Sequence, residues 1–247
     1  MRLNYVETGS ADSPVVLLGS SLGASHAMWA PQVDVLAERY RVIAFDHRGH
    51  GESEVPDGPY TIDDLGGDVV ELLDALEVEQ ASYVGISLGG SVGLWLAINA
   101  PDRIHRLVAI CPPTNTAENP QPWTERAAQV RADGTQSITE ATLGRWFRPE
   151  FTEIADIRKM LEDCPDEGYA AACEALSTMN LLPGLAGITA PVLLITTDGD
   201  ASVPPETVVP LASQIPGAHL EIIENAAHLV SYSHPDLVNP LLLTHLS

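Results

Sequence analysis

The stretch Val84-Gly85-Ile86-Ser87-Leu88-Gly89-Gly90 constrains this chain more than any other. A strand-like apolar run from Ala81 to Ile86 precedes its serine, and a helix-like run from Gly89 to Asn99 follows it. A serine at the tip of so sharp a strand-to-helix turn takes a strained backbone, and a side chain two residues to either side would strike the neighbouring chain. Gly85 and Gly89 supply the clearance. The helix behind the serine aims free N–H groups and the positive end of its dipole at the space where an oxyanion would form. Ser87 is therefore the candidate nucleophile. A Gly-x-Ser-x-Gly pentapeptide arises by chance in about 7% of chains this long, so the partners of Ser87 must decide.

A chain of 247 residues with 45% hydrophobic and 19% charged side chains can bury one large core, and a single domain with an insertion is expected. Acidic residues number 34 against 12 basic, for a formal net charge of −22, and Lys159 is the only lysine. Such a surface repels phosphate backbones and anionic lipids, which argues against nucleic-acid and membrane partners. Any anionic substrate would need locally placed arginines. Cys111, Cys164 and Cys173 are an odd set without paired metal spacing and read as buried or free thiols of a reducing compartment. The N-terminal Met1-Arg2-Leu3-Asn4-Tyr5 lacks the apolar core of a signal peptide, and no run approaches membrane-spanning length, so a cytoplasmic location is expected.

Along the chain, residues 3–8 alternate like an edge strand, and Pro14 to Leu18 reads as a strand buried on both faces. It ends in Gly19-Ser20-Ser21-Leu22-Gly23, either a second oxyanion-hole donor or a plain strand-to-helix turn. A helix from Trp29 to Tyr40 and a strand from Arg41 to Phe45 lead to Asp46-His47-Arg48-Gly49-His50-Gly51-Glu52-Ser53. His47 and His50 resemble a metal pair only superficially, because no third ligand lies nearby, and a structural turn is the expectation. Thr61 caps a helix reaching Leu76, and Ile104 to Ile110 is a further buried strand, closed by Cys111-Pro112-Pro113. Strands and helices alternate throughout this half, which implies a parallel sheet covered on both faces.

From Asn115 to Pro183 no buried strand appears, only helical stretches near 121–132, 136–147, 153–163 and 167–179. Such an insert reads as a cap over the active-site end of the sheet. Trp123, Trp146, Phe147, Tyr169 and Met179 are its large apolar residues, and at helical spacing packing is their simpler role. Arg126, Arg131 and Arg145 are the candidate cations, each more simply a solvated helix residue. Arg126 nevertheless follows Trp123 by three positions on one helix face, and Arg145 adjoins Trp146, so either could set a guanidinium beside an aromatic wall. Pro191 to Thr196 resumes the buried-strand type and ends in Thr197-Asp198-Gly199-Asp200, whose two aspartates are either triad candidates or part of an Asp-Gly turn. After a last strand, Leu220 to Ile223, His228 sits among small residues and can swing over the Ser87 turn. A helix from about Pro235 to His245 closes the chain.

The order Ser87, an aspartate after the next-to-last strand, then His228 after the last is the order of an α/β-hydrolase. Over nearly its whole length the chain resembles the 3-oxoadipate enol-lactonases of that superfamily. The resemblance is carried by Ser21-Leu22-Gly23, Asp46-x-Arg48-Gly49-His50-Gly51-x-Ser53, Gly85-Ile86-Ser87-Leu88-Gly89-Gly90, Arg145-Trp146-Phe147, Glu167-Gly168-Tyr169-Ala170-Ala171, Pro204-Pro205-Glu206 and Ala227-His228-Leu229. It implies an α/β-hydrolase fold: a mostly parallel central sheet flanked by helices, with residues 1–113 and 186–247 as the core and a helical cap at 114–185. In such enzymes the acid stands fourth in a Gly-x-x-Asp stretch shortly before Pro-Pro-Glu, which here is Asp200, with Thr197 where glycine is usual.

The resemblance further implies that His228, oriented by Asp200, takes the proton of Ser87, and that the backbone N–H groups of Leu22 and Leu88 stabilise the oxyanion. A lactone would then open through an acyl-enzyme with neither metal nor organic cofactor. Trp123, Arg126, Arg145 and Trp146 are the candidate substrate contacts, and a small-molecule ester or lactone is the expected partner. The superfamily motifs fit a general carboxylesterase or a C–C bond hydrolase equally well. A catalytically silent receptor on the same fold is disfavoured, because all three triad residue types are present.

Overall fold

The computed structural model describes residues 1–247. In chain order the elements are β1 (Tyr5–Thr8), β2 (Val15–Gly19), α1 (Ala30–Ala37), β3 (Arg41–Phe45), α2 (Ile62–Ala75), β4 (Ala81–Ile86), α3 (Leu88–Asn99) and β5 (Ile104–Ile110). Then come α4 (Gln121–Asp133), α5 (Thr139–Trp146), α6 (Ala155–Asp163), α7 (Asp166–Thr178) and β6 (Val192–Thr197). Two short helices, α8 (Pro205–Val208) and α9 (Leu211–Gln214), precede β7 (His219–Ile223), α10 (Val230–Ser233) and α11 (Pro235–Leu246).

The seven strands form one sheet in the order β1-β3-β2-β4-β5-β6-β7. Only β1 is antiparallel to its neighbour; every other pairing is parallel. Parallel strands covered on both faces are continuous apolar runs, and every residue of β4 and β6 is buried. The edge strands β1 and β7 are short, and each carries a glutamate, Glu7 and Glu221, beside exposed Val6 and Ile222. Charge and shortness discourage pairing with another sheet edge. Because β2, β4, β5, β6 and β7 run the same way, the loops after them converge at one end of the sheet, where ligands bind in open parallel sheets.

Local chemistry fixes the helix ends. Thr61 Oγ1 accepts from the Asp64 N–H at 3.1 Å while Asp64 Oδ2 accepts from the Thr61 N–H at 2.8 Å, a complete capping box that starts α2. Pro101 stops α3. α3 begins at Leu88, one residue before the sequence pattern suggests, with Ser87 itself as its N-cap. Helix α2 packs on α3, which lies against β4 and β5, and α1 and α11 form a second pair against β3 and β5.

Between β5 and β6 the chain leaves the sheet through a narrow neck. There Asn115 bridges Asn180, and the Leu181 N–H donates to the Thr114 carbonyl at 2.8 Å. α4 packs on α7 inside this segment. Its inner residues, among them Ala127, Val130, Leu143, Trp146, Tyr169 and Leu176, belong to the same apolar cluster as Leu17, Tyr83 and Ile110 of the sheet. The segment therefore has no core of its own. No helix is long and apolar enough to cross a membrane.

Candidate active site

Ser87 stands at the end of β4, with φ 54° and ψ −118°, a conformation that side chains rarely adopt. The neighbouring glycines make it possible. A Cβ on Gly85 would come within 2.3 Å of the Gly89 carbonyl oxygen, and one on Gly89 within 2.1 Å of the Gly19 oxygen. The turn is pinned from both sides: the Ser87 N–H donates to Ile110 O at 2.8 Å, and the Gly89 N–H to Ser20 O at 3.0 Å. In the loop after β2 the Leu22 N–H makes no hydrogen bond within the chain. Leu88, at the first position of α3, carries one of the N–H groups that a helix start leaves without an intrahelical acceptor.

His228 lies in the loop after β7, buried, and its Nδ1 is 2.7 Å from Asp200 Oδ2. That contact leaves Nε2 as the nitrogen free to face a reactant. Asp200, in the loop after β6, is also buried, and its Oδ1 accepts from the Ser202 and Val203 N–H groups, both at 2.8 Å. Burial alone would push the Asp200 carboxyl up; the facing His228, the Val203 N–H and the Cys111 thiol outweigh it and hold the group below the ordinary carboxylate range. Asp198 points elsewhere, to the surface, where Oδ1 meets Arg148 Nη2 at 3.0 Å.

Ser87 and His228 line one cavity of about 620 Å³ together with Ser21, Leu22, Trp123, Arg126, Arg145, Trp146 and Tyr169. No hydrogen bond joins Ser87 Oγ to His228. Such contacts in unliganded sites are commonly long and tighten when a reactant binds.

Two cations face this cavity without counter-ions. Arg126 lies 5.2 Å from the centre of the Trp123 ring, and Arg145 Nη2 reaches only the neutral Thr142 Oγ1 at 3.3 Å. The arginines that form ion pairs are Arg41, Arg48, Arg103, Arg131, Arg148 and Arg158. Burial, then the nearby Arg126, push the Arg145 guanidinium down. The simpler expectation of solvated helix residues fails for Arg126 and Arg145, which are half-buried because α4 and α5 turn these faces toward the cavity. Arg131 is exposed and bound by Glu167 and Glu174. Of the large apolar residues in the segment, Phe147 stacks on Phe151 at 5.2 Å and Met179 joins the core; neither lines the cavity.

Several lining residues carry no sequence signal of a site. Thr114, Asn115 and Thr116 at the neck, and Val203 and Thr207 beyond Asp200, are among them. Cys111, in the sequence no more than a buried or free thiol in the turn that closes β5, also stands near the site. Its sulfur lies within 4.8 Å of ligand atoms of both Asp200 and His228, the one trio of such groups close enough to share an ion. Two of the three are already joined by the Asp200–His228 hydrogen bond. His47 and His50 serve the turn: His47 Nε2 meets Ser20 O at 3.2 Å and His50 Nδ1 meets Arg48 O at 3.0 Å. Burial, then His50, push His47 down to about 3.

Residues 14–154 match the family model for the alpha/beta hydrolase fold. The chain is 39% identical to 3-oxoadipate enol-lactonase 2 of Acinetobacter baylyi, over 97% of this chain and 91% of that protein. The crystal structure of the enol-lactonase from Burkholderia xenovorans LB400 superposes with a TM-score of 0.93 at 35% identity, covering 99% of this chain and 96% of that one. A thermophilic esterase from Thermogutta terrifontis superposes with a TM-score of 0.92 at 28% identity, covering 99% and 92%.

Proposed function

The chain belongs to the α/β-hydrolase family, and from that premise we propose that it is a serine hydrolase that opens the ester bond of a carboxylate-bearing lactone, of the 3-oxoadipate enol-lactone type. One observation carries this reading. Ser87, on a strained turn beside an unbonded Leu22 N–H, shares a cavity with the buried His228–Asp200 pair and with two arginines that lack counter-ions.

The chemistry follows from the roles these groups can play. Asp200 accepts the Nδ1–H of His228, which fixes the tautomer with its lone pair on Nε2. Nε2 takes the Ser87 hydroxyl proton as Oγ attacks the lactone carbonyl carbon. The negative oxygen that results is met by the Leu22 and Leu88 N–H groups. Collapse breaks the ring C–O bond, and His228 returns its proton to the leaving oxygen. That oxygen stays tethered to the acyl chain, since the substrate is cyclic. Water, deprotonated by the same histidine, then releases the opened acid. Arg126 and Arg145 supply the attraction that a protein of net charge −22 otherwise denies an anionic substrate.

A second reading, a general carboxylesterase, is favoured by the cavity itself. Its 620 Å³ falls well inside the range of ordinary small-molecule sites, about 300–1,000 Å³, and leaves room for acyclic esters. A panel of enol-lactones, saturated lactones and acyl esters, with and without a free carboxylate, assayed with wild type and Ser87→Ala, separates them. Preference for the carboxylate-bearing lactone, abolished in the variant, supports the first reading; preference for neutral acyclic esters moves the assignment to the second.

A further inference from the structure

Asp200 is held on three sides. Oδ2 is taken by His228 and Oδ1 by two backbone N–H groups, and the space that remains is filled by Cys111, a residue to which neither composition nor motif gives a task. Cys111 occupies the turn at the end of β5, between β4, which presents Ser87, and β6, which leads to Asp200. Its N–H donates to Ile195 O at 2.7 Å, which ties the turn to β6. It is fully buried, and its φ of 47° lies in the left-handed region that normally calls for glycine. A glycine would relieve that strain, yet the position carries a side chain, and its sulfur lies within 4.8 Å of Asp200 and His228.

We propose that Cys111 is a positioning residue of the triad: its thiol donates S–H to the Asp200 carboxylate and holds that carboxylate square to His228. This rests on the Ser87–His228–Asp200 reading given above. Burial, then the charge of Asp200, push the thiol far up, so it keeps its proton and remains a donor at every pH at which the enzyme would work. The principal titratable groups acting on Asp200 are His228 and Cys111, and Cys111 in turn faces Asp200. A thiol is a weak donor compared with a hydroxyl.

Removing the donor raises the carboxyl pKa of Asp200 and strengthens its pull on the His228 N–H, so that the proton gained by the imidazole is held more tightly. The acid limb of the kcat/KM profile therefore moves to higher pH in Cys111→Ala, by about half a unit, while kcat on the plateau falls about 3- to 10-fold and KM changes little. Cys111→Ser restores a donor, stronger than the original, and moves the limb to or below its wild-type position with recovery of kcat. Cys111→Gly removes the thiol and relaxes the backbone, so it reports the same upward shift even if the alanine variant does not fold. The order Ala and Gly above wild type, with Ser at or below it, is the expected result. Coincident limbs in all four proteins, with only thermal stability altered, would leave Cys111 as core packing and overturn the proposal. Ser87→Ala is run alongside: if that variant stays active, it is the triad reading that fails, whatever the Cys111 series shows.

Discussion

The two arginines in the cavity lend themselves to the most discriminating substitution. Arg126 stacks on Trp123 and Arg145 touches only a threonine hydroxyl, so each guanidinium is half-buried with no carboxylate to satisfy it. Alanine would remove the apolar stem together with the charge, and methionine keeps most of the stem. Arg126→Met and Arg145→Met therefore isolate the charge. A charge-assisted hydrogen bond is worth about 1.5–3 kcal/mol, which is roughly 10- to 150-fold in kcat/KM. Steady-state kinetics on a matched pair, a lactone bearing a free carboxylate and its methyl ester, should show that loss on the acid and less than about 3-fold on the ester. The folded protein should not suffer. Because burial and Arg126 already disfavour the charge on Arg145, removing either cation relieves a like-charge contact, and the melting temperature should hold or rise. Equal losses on both substrates, together with a lowered melting temperature, would refute the reasoning and leave the arginines as packing.

The triad reading makes sharper demands. Ser87→Ala and His228→Ala should each lower kcat by about 10⁴- to 10⁶-fold with an unchanged circular dichroism spectrum, and activity within tenfold of wild type in either would remove the covalent mechanism. Asp200→Asn should cost on the order of 10⁴ in kcat by favouring the wrong histidine tautomer, whereas Asp198→Asn, at a surface pair with Arg148, should be mild; the reverse ranking in the same assay would reassign the acid. Stability has its own hub at Asp46, whose buried carboxylate accepts from the His26 N–H at 2.6 Å, the His26 ring at 2.9 Å, Asn4 Nδ2 at 2.8 Å and the Glu52 N–H at 3.0 Å. Burial works against the charge on Asp46, but these donors win and lower its pKa, so its contribution is present above pH 3.8 and is lost as pH falls below that value. Asp46 raises the pKa of His26, whose contribution is complete below pH 6.5 and is lost as pH rises through the raised value. Urea midpoints from pH 3 to 9 should therefore form a plateau with a fall on each side. Asp46→Asn should lower the plateau by about 2–4 kcal/mol and flatten its alkaline edge; an unaltered curve would mean that the pair is incidental.

The sheet was legible because buried parallel strands are plain apolar runs, and β3 and β5 fall on the residues their hydrophobicity marks. The serine turn was legible for a different reason: Gly85 is forced by a clash with the Gly89 backbone four residues on, which exists before any tertiary packing, although the clearance Gly89 gives to Gly19 and Ser20 depends on β2 lying beside β4. What could not be read depends on which strands lie side by side. Cys111 comes near Asp200 only because β5 pairs with β6, an adjacency encoded in no local pattern. Periodicity marks which face of α4 is apolar but not that Arg126 would turn toward Arg145 across a cavity. Helices α8 and α9 are four residues each, too short for a period to register, and Pro204-Pro205-Glu206 served only as a motif of the family resemblance. The choice between Asp198 and Asp200 needed the family resemblance, since both follow the same strand by nearly the same distance.

The shared core of the sheet and the helical segment bears on how substrates arrive and how specificity changes. A lid with its own core can hinge as a rigid body, but lifting this segment would strip apolar residues from the top of the sheet into water, at about 25 cal/mol for each Å² exposed. It behaves as a roof bearing on its walls. The cavity that the neck at Thr114–Thr116 and the Val203–Thr207 loop help to line then stands ready-made, and its fixed shape, rather than the timing of a closure, sets what fits. A lineage with this architecture changes its diet by repainting the inner faces of α4 and α5, one side chain at a time; exchanging the whole roof would mean rebuilding the floor beneath it.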